Sequence, residues 1–166
     1  MIYVGSFSKS LFPGLRLGYL VGPAPFIKEA RALRATVLRH PPGHIQRTVS
    51  HYLSLGHYDA LIRRMSRAYH DRRQVLHSAL QDYGLTVAGQ NTSGGSSIWV
   101  RTPDGTDTTA LALALRADGV LVEPGAPFFA AKTPPSEYLR LAYSSIPETR
   151  IRDGVALIAA ALARGG

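Results

Sequence analysis

Lys9 is the residue whose surroundings most directly suggest covalent chemistry. It lies in the run Gly5-Ser6-Phe7-Ser8-Lys9-Ser10-Leu11-Phe12-Pro13-Gly14-Leu15-Arg16-Leu17-Gly18-Tyr19. A lysine amine leaving a strand end among small hydroxyl residues can condense with an aldehyde to form a Schiff base. Ser6, and less directly Ser8, can donate hydroxyls to a phosphate. Arg16 can grip that phosphate through two parallel N–H bonds, which a lysine cannot. The glycines let the backbone approach a ligand closely. The plain alternative is a surface lysine in a polar turn; Arg16, the glycine spacing and the flanking strands favour a site.

Arg140 is the second candidate. In the strand expected over Tyr138–Tyr143, Leu139, Leu141 and Tyr143 share one face, so Arg140 points to the other with Ala142 and Ser144. An arginine among small residues suits a carboxylate ligand, and it equally suits a structural acid on the sheet face. Arg63, Arg64, Arg67, Arg72 and Arg73 form a basic run, but Asp59, Asp71 and Asp82 interleave with it, so it reads as a solvated helix face. The histidines His40, His44, His51, His57, His70 and His77 show no ligand spacing, and Pro41-Pro42 keeps His40 and His44 off one helical turn. No metal site is expected. Trp99 reads as a core residue and Gly94-Gly95 as a turn into a strand.

The elements that must carry these residues alternate in type. Ile2–Gly5 reads as a buried strand and Leu15–Val21 as a second, with a turn at Pro13-Gly14 between them. Pro25 suits a first helical turn, and Phe26, Ile27, Ala30, Leu33 and Val37 continue it as an apolar stripe. A helix over Ile45–Leu55 follows, then a long one over Tyr58–Asp82. At 1.5 Å per residue that helix is nearly 40 Å long, enough to link two lobes. Beyond Gly84, strands at Leu85–Ala88, Ser97–Arg101, Val120–Val122 and Tyr138–Tyr143 alternate with helices at Asp107–Ala117 and Pro147–Ala163. Asp107 is placed to cap its helix. The expected class is α/β, divided as 1–56, 57–84 and 85–166.

Composition narrows the field. The 166 residues carry 45% hydrophobic and 18% charged residues, enough to bury a core, and no cysteine, which excludes disulfides and thiolate chemistry. No apolar run reaches the roughly 18 residues a membrane span requires, and residues 1–10 lack the pattern of a signal peptide, so a cytoplasmic location is expected. The net charge of +8 is uneven: residues 1–56 contribute +6, with Glu29 their one acid. An anionic partner is expected for that part.

These motifs resemble the cofactor-lysine segment of fold-type I pyridoxal 5′-phosphate (PLP) enzymes, the class I/II aminotransferases, and within them the aminotransferase-like domain of MocR-type (PdxR and GabR group) regulators. The family pattern is a strand, [ST]-x-S-K, about six residues, then R-[IL]-[GS]-Y. Further along, Leu55-Gly56-His57-Tyr58 with Ile62-Arg63-Arg64-Met65 is similar to the helix joining the two lobes. Gly94-Gly95-Ser96-Ser97-Ile98-Trp99-Val100 resembles the start of a small-lobe strand. Gly119-Val120-Leu121-Val122-Glu123-Pro124-Gly125 with Phe128-Phe129, and Tyr138-Leu139-Arg140-Leu141-Ala142-Tyr143-Ser144, resemble two more segments.

The resemblance implies that residues 1–56 end a large PLP-binding lobe, 57–84 connect, and 85–166 form the small α/β lobe. It implies that Lys9 holds PLP as an internal aldimine, that Ser6, Ser8 and Arg16 serve the cofactor, and that Arg140 binds the carboxylate of an amino-acid substrate or effector. It implies a homodimer in the full-length protein. The family's pyridinium-binding aspartate, ring-stacking aromatic and glycine-rich loop precede the lysine, as does the DNA-reading domain of the regulators. The chain is therefore expected to be the C-terminal part of a longer protein. That protein is expected to be an aminotransferase or an effector-sensing GntR/MocR-type regulator without turnover; a truncated reading frame with no function of its own is the third possibility.

Overall fold

In the computed structural model, residues 1–89 and 94–165 are described. The chain divides into two compact units, residues 1–65 and 66–166, and the long helix α3 (His57–Asp82) runs through the division.

The first unit opens with a two-stranded antiparallel hairpin, β1 (Tyr3–Ser6) and β2 (Gly18–Val21), in which Gly5 faces Tyr19 and Ser6 faces Gly18. Gly5 is required by its neighbour: a Cβ there would lie 2.2 Å from Cζ of Tyr19, whose ring covers the strand. The second strand is shorter than the apolar run Leu15–Val21 suggests. Pro13–Leu15 instead form a 3-10 turn with Pro13 at its start, and Arg16 takes the left-handed conformation at φ 48°. The Phe7 N–H then donates to the Leu17 carbonyl at 3.0 Å, closing the loop one pair beyond the hairpin.

Helix α1 (Ala24–Val37) begins with Pro25 in its first turn, and α2 (Gly43–Ser54) follows. The apolar stripe of α1 is present but unburied: Leu33 and Val37 are exposed. Packing in this unit centres on Phe7, Leu15 and Val49, with Leu11, Leu17, Ile45 and Tyr58 around them. The edge of the Tyr58 ring meets Phe7 at 5.8 Å between centroids. The core thus sits beneath the loop that carries Lys9.

The second unit is a four-stranded antiparallel sheet with strand order β3 (Thr86–Val87), β4 (Ser97–Arg101), β6 (Tyr138–Ala142), β5 (Glu123–Pro124). Alternation sends Ile98, Val100, Leu139 and Leu141 to one face, where they pack with Leu76 and Leu80 of α3, Leu115 of α4 (Thr108–Ala117), and Ile151, Val155 and Ile158 of α5 (Ile151–Gly165). Asp107 caps α4 as its position suggests, its carboxylate accepting from the Thr109 and Ala110 N–H groups at 2.9 and 3.1 Å. Tyr143, just past β6, is fully buried and donates its hydroxyl to the Gly95 carbonyl at 2.8 Å.

Two expectations fail here for identifiable reasons. Val120–Val122 do not form a strand, because the Val120 N–H turns back to the Leu115 carbonyl at 2.9 Å while Gly119 adopts φ 78°. That arrangement finishes the helix and takes the donor a ladder would need, so β5 starts at Glu123. Trp99 is not in the core. It lies on the opposite sheet face, half-buried among Phe128, Phe129 and Tyr138 at centroid distances of 5.5, 5.9 and 6.2 Å.

Candidate functional site

The loop 6–16 gathers the candidate donors of the first unit. Its ends are held together by the Ser6–Gly18 pairing and the Phe7–Leu17 hydrogen bond, so Ser8 begins the loop and Arg16 ends it next to the same closing contact. Ser6 Oγ accepts the Ser8 N–H at 3.2 Å, which folds the chain back at the strand end. Phe7 is buried, while Ser6 and Lys9 are exposed. Phe7 therefore anchors the segment in the core and leaves the lysine amine clear of it. Neither Lys9 nor Arg16 is hydrogen-bonded or ion-paired through its side chain to any described residue.

Two further features belong to this loop. Ser10 Oγ is buried and has no hydrogen-bond partner among the described residues, so a hydroxyl beside Lys9 has bonding capacity to spare. Tyr19 stacks obliquely on Phe7 and Tyr3 at 5.5 and 5.8 Å, and its interaction with the Tyr3 side chain, then desolvation, raise its phenol above the ordinary value. Sequence reading missed both, since the first depends on what the folded loop buries and the second on the β1–β2 pairing that brings Tyr3 beside Tyr19. No carboxylate precedes Glu29 in the chain. An amine, hydroxyls and a guanidinium uncancelled by acid form a donor set that suits a phosphorylated aldehyde.

Arg140 belongs to the second unit. It sits on the sheet face opposite the core, as the alternation predicts, and its neighbours there are more numerous than the sequence suggests. Its Nε donates to Ser97 Oγ at 3.2 Å on β4, and its guanidinium lies over the Phe128 ring, 5.4 Å from the centroid. Its Nη1 donates to the carboxylate of Glu123 across the β5–β6 pairing. The structural acid left open by the sequence is thus present, and it is Glu123. The ring cluster stays close because Gly125 has no side chain: a Cβ would meet Tyr138 Cβ at 2.6 Å and Trp99 Cζ3 at 2.8 Å. The approach of β5 to β6 was not legible in the sequence, because it depends on where β5 begins.

The basic run on α3 divides in function. Arg63, Arg64 and Arg67 are exposed as expected, but Arg72 and Arg73 are half-buried. Arg72 donates to the Ser144 carbonyl at 2.5 Å and Arg73 to the Gly94 carbonyl at 2.9 Å. They tie the helix to the segments flanking β4 and β6, using the two arginines' charge for backbone carbonyls.

The family model for aminotransferase class I and II matches residues 1–158. The chain is 60% identical over 162 residues to the HTH-type transcriptional regulator TauR of Rhodobacter capsulatus, covering 98% of this chain and 34% of that protein. It is 30% identical over 160 residues to aromatic-amino-acid aminotransferase 1 of Thermococcus litoralis, covering 96% of this chain and 38% of that one. Among solved structures, LysN, the α-aminoadipate aminotransferase of Thermus thermophilus complexed with N-(5′-phosphopyridoxyl)-L-leucine, superposes with a TM-score of 0.86 at 28% identity, covering 98% of this chain and 42% of that one. The chain thus spans about a third of the length of the curated relatives it matches. Its fold is that of the fold-type I aminotransferases, in part. With the family's model matched over residues 1–158, the chain belongs to the class I and II aminotransferases.

Proposed function

We propose that this chain is the PLP-binding, aminotransferase-like part of a protein acting on, or sensing, an amino acid or amine. The observation that carries the reading is the acid-free loop 6–16, closed by the hairpin pairing, which carries Ser6, Ser8 and Arg16 in one short segment with an exposed Lys9 whose side chain is bonded to no described residue. Lys9 would hold the cofactor covalently through Nζ. Ser6, Ser8 and Arg16 would hold its phosphate. When bound, PLP supplies an electron sink for charge developing at the α-carbon of an amino acid. The freed Lys9 amine is the group of this loop suited to carry a proton between atoms of the substrate. Arg140 would orient the ligand through its carboxylate. In this reading residues 1–56 close the large lobe, 57–84 connect and 85–166 form the small lobe of a homodimeric, cytoplasmic protein. No helix among the described residues is long and apolar enough to cross a membrane.

A second reading has an observation of its own. The 60% identity to TauR exceeds the 30% to an aminotransferase and favours an effector-sensing domain that uses the same residues without turnover, with any DNA contact made by a segment outside this chain. Both readings require Lys9. Borohydride reduction of the chain with PLP, followed by peptide mass mapping, is expected to place the label on Lys9. Label spread evenly over Lys9, Lys28 and Lys132 overturns the assignment. Given Lys9 labelling, the full-length protein separates the two readings: release of keto acid from an amino-acid panel selects the enzyme, and spectral change without release selects the sensor.

A further inference from the structure

Arg140 does not wait for a ligand with its hydrogen bonds unmade. Of its guanidinium nitrogens, Nε serves Ser97 and Nη1 serves Glu123, and Nη2 has no partner among the described residues. A carboxylate that grips an arginine through two parallel bonds uses either the Nε and Nη2 edge or the Nη1 and Nη2 edge. Each edge therefore includes a nitrogen already engaged. The two incumbents differ in kind. Ser97 is a neutral hydroxyl on β4, diagonal to the arginine across the β4–β6 pairing. Glu123 is a full carboxylate at the first position of the two-residue strand β5, its side chain 54% exposed against 25% for Arg140.

From this geometry we propose that Glu123 is an internal competitor for Arg140, a carboxylate that occupies the arginine until a ligand's carboxylate displaces it. The inference rests on the reading of Arg140 as the carboxylate holder and adds a residue that sets its affinity and selectivity. Several features suit Glu123 to exchange. Its half-exposed side chain can swing into water, where a released carboxylate is well solvated. It is anchored by a short strand and preceded by the exposed Leu121 segment, so its release does not disturb the core face of the sheet. Arg140 stays in place when Glu123 leaves, because Ser97 and the Phe128 ring still hold it. The consequence is selectivity. A weakly held anion cannot outcompete a tethered carboxylate, whereas a ligand that is also held at a second point can.

The test uses the 166-residue chain with propionate as probe and propionamide as its neutral control, following the side-chain Nε–H resonance of Arg140 by NMR. Glu123→Gln is expected to tighten propionate binding about two- to fivefold, the range an ion pair of this exposure is worth. Propionamide should be indifferent to the change, and Arg140→Gln should abolish the propionate response. A second variant, Glu123→Ala, guards against an effect peculiar to the glutamine amide and should tighten binding likewise. Binding that is lost with Arg140→Gln but unchanged in both Glu123 variants overturns the competitor role and leaves the carboxylate site standing. Propionate binding that survives Arg140→Gln overturns the site itself and, with it, this inference.

Discussion

Arg16 combines a strained backbone with the phosphate grip proposed for its side chain, and substitution can separate the two. Its backbone sits at φ 48° and ψ 35°, a left-handed conformation that costs an L-residue about 1–2 kcal/mol. Its side chain is exposed and bonded to no described residue, so removing it takes nothing from the fold. Arg16→Gly should relieve the strain, while the greater freedom of glycine in the unfolded chain gives back about 0.5–1 kcal/mol. The net gain is up to about 1 kcal/mol, seen as a rise of a few degrees in melting temperature. If Arg16 holds the phosphate as proposed, the same variant loses that grip. A charge-assisted contact is worth about 1.5–3 kcal/mol, and at an exposed position the lower end applies, about tenfold in PLP affinity. Arg16→Lys keeps the strain and the charge but loses the two-bond fork, and should fall between. Pyridoxal, which lacks the phosphate, should bind all three proteins alike. Thermal melting by circular dichroism and absorbance titration with each aldehyde measure both halves. A glycine variant that melts lower refutes the strain argument, and a parallel loss of pyridoxal and PLP refutes the assignment of Arg16 to the phosphate.

Asp107→Ala removes a carboxylate that accepts from two N–H groups at the start of α4; urea unfolding should show a loss of about 1 kcal/mol, and Asp107→Asn should restore most of it. His77 is partly buried on α3, its Nε2 without a hydrogen-bond partner among the described residues, and desolvation first, then the Arg73 charge, lower its pKa from the ordinary histidine value of 6.5. The folded state therefore resists protonation that the unfolded chain accepts, so stability present above pH 6.5 is lost as pH falls through and below that value. His77→Gln should flatten that part of a melting-temperature profile between neutral and mildly acidic pH; an unchanged slope assigns the loss to other groups.

The lysine loop was legible in the sequence because its chemistry is contiguous. Ser6, Ser8, Lys9 and Arg16 lie in one short segment, and strand and turn signals on either side imply that its ends meet. The helices were legible for a similar reason: apolar spacing, Pro25, Asp107 and the glycines at 56 and 84 are local signals that act within a turn or two. Arg140 could be placed on the outer sheet face from alternation alone, since the period of a strand is set by its own backbone. What occupies that face could not. Glu123 reaches Arg140 only because the Val120 N–H closes helix α4, which delays the strand and sets its register against β6. Trp99 left the core because β4 pairs on both sides and its buried face was already filled by Ile98 and Val100. Arg72 and Arg73, read as solvated, found carbonyls on segments far along the chain. Short-range chemistry follows from residue type and spacing; pairing across strands depends on where distant segments end, and the folded chain alone decides that.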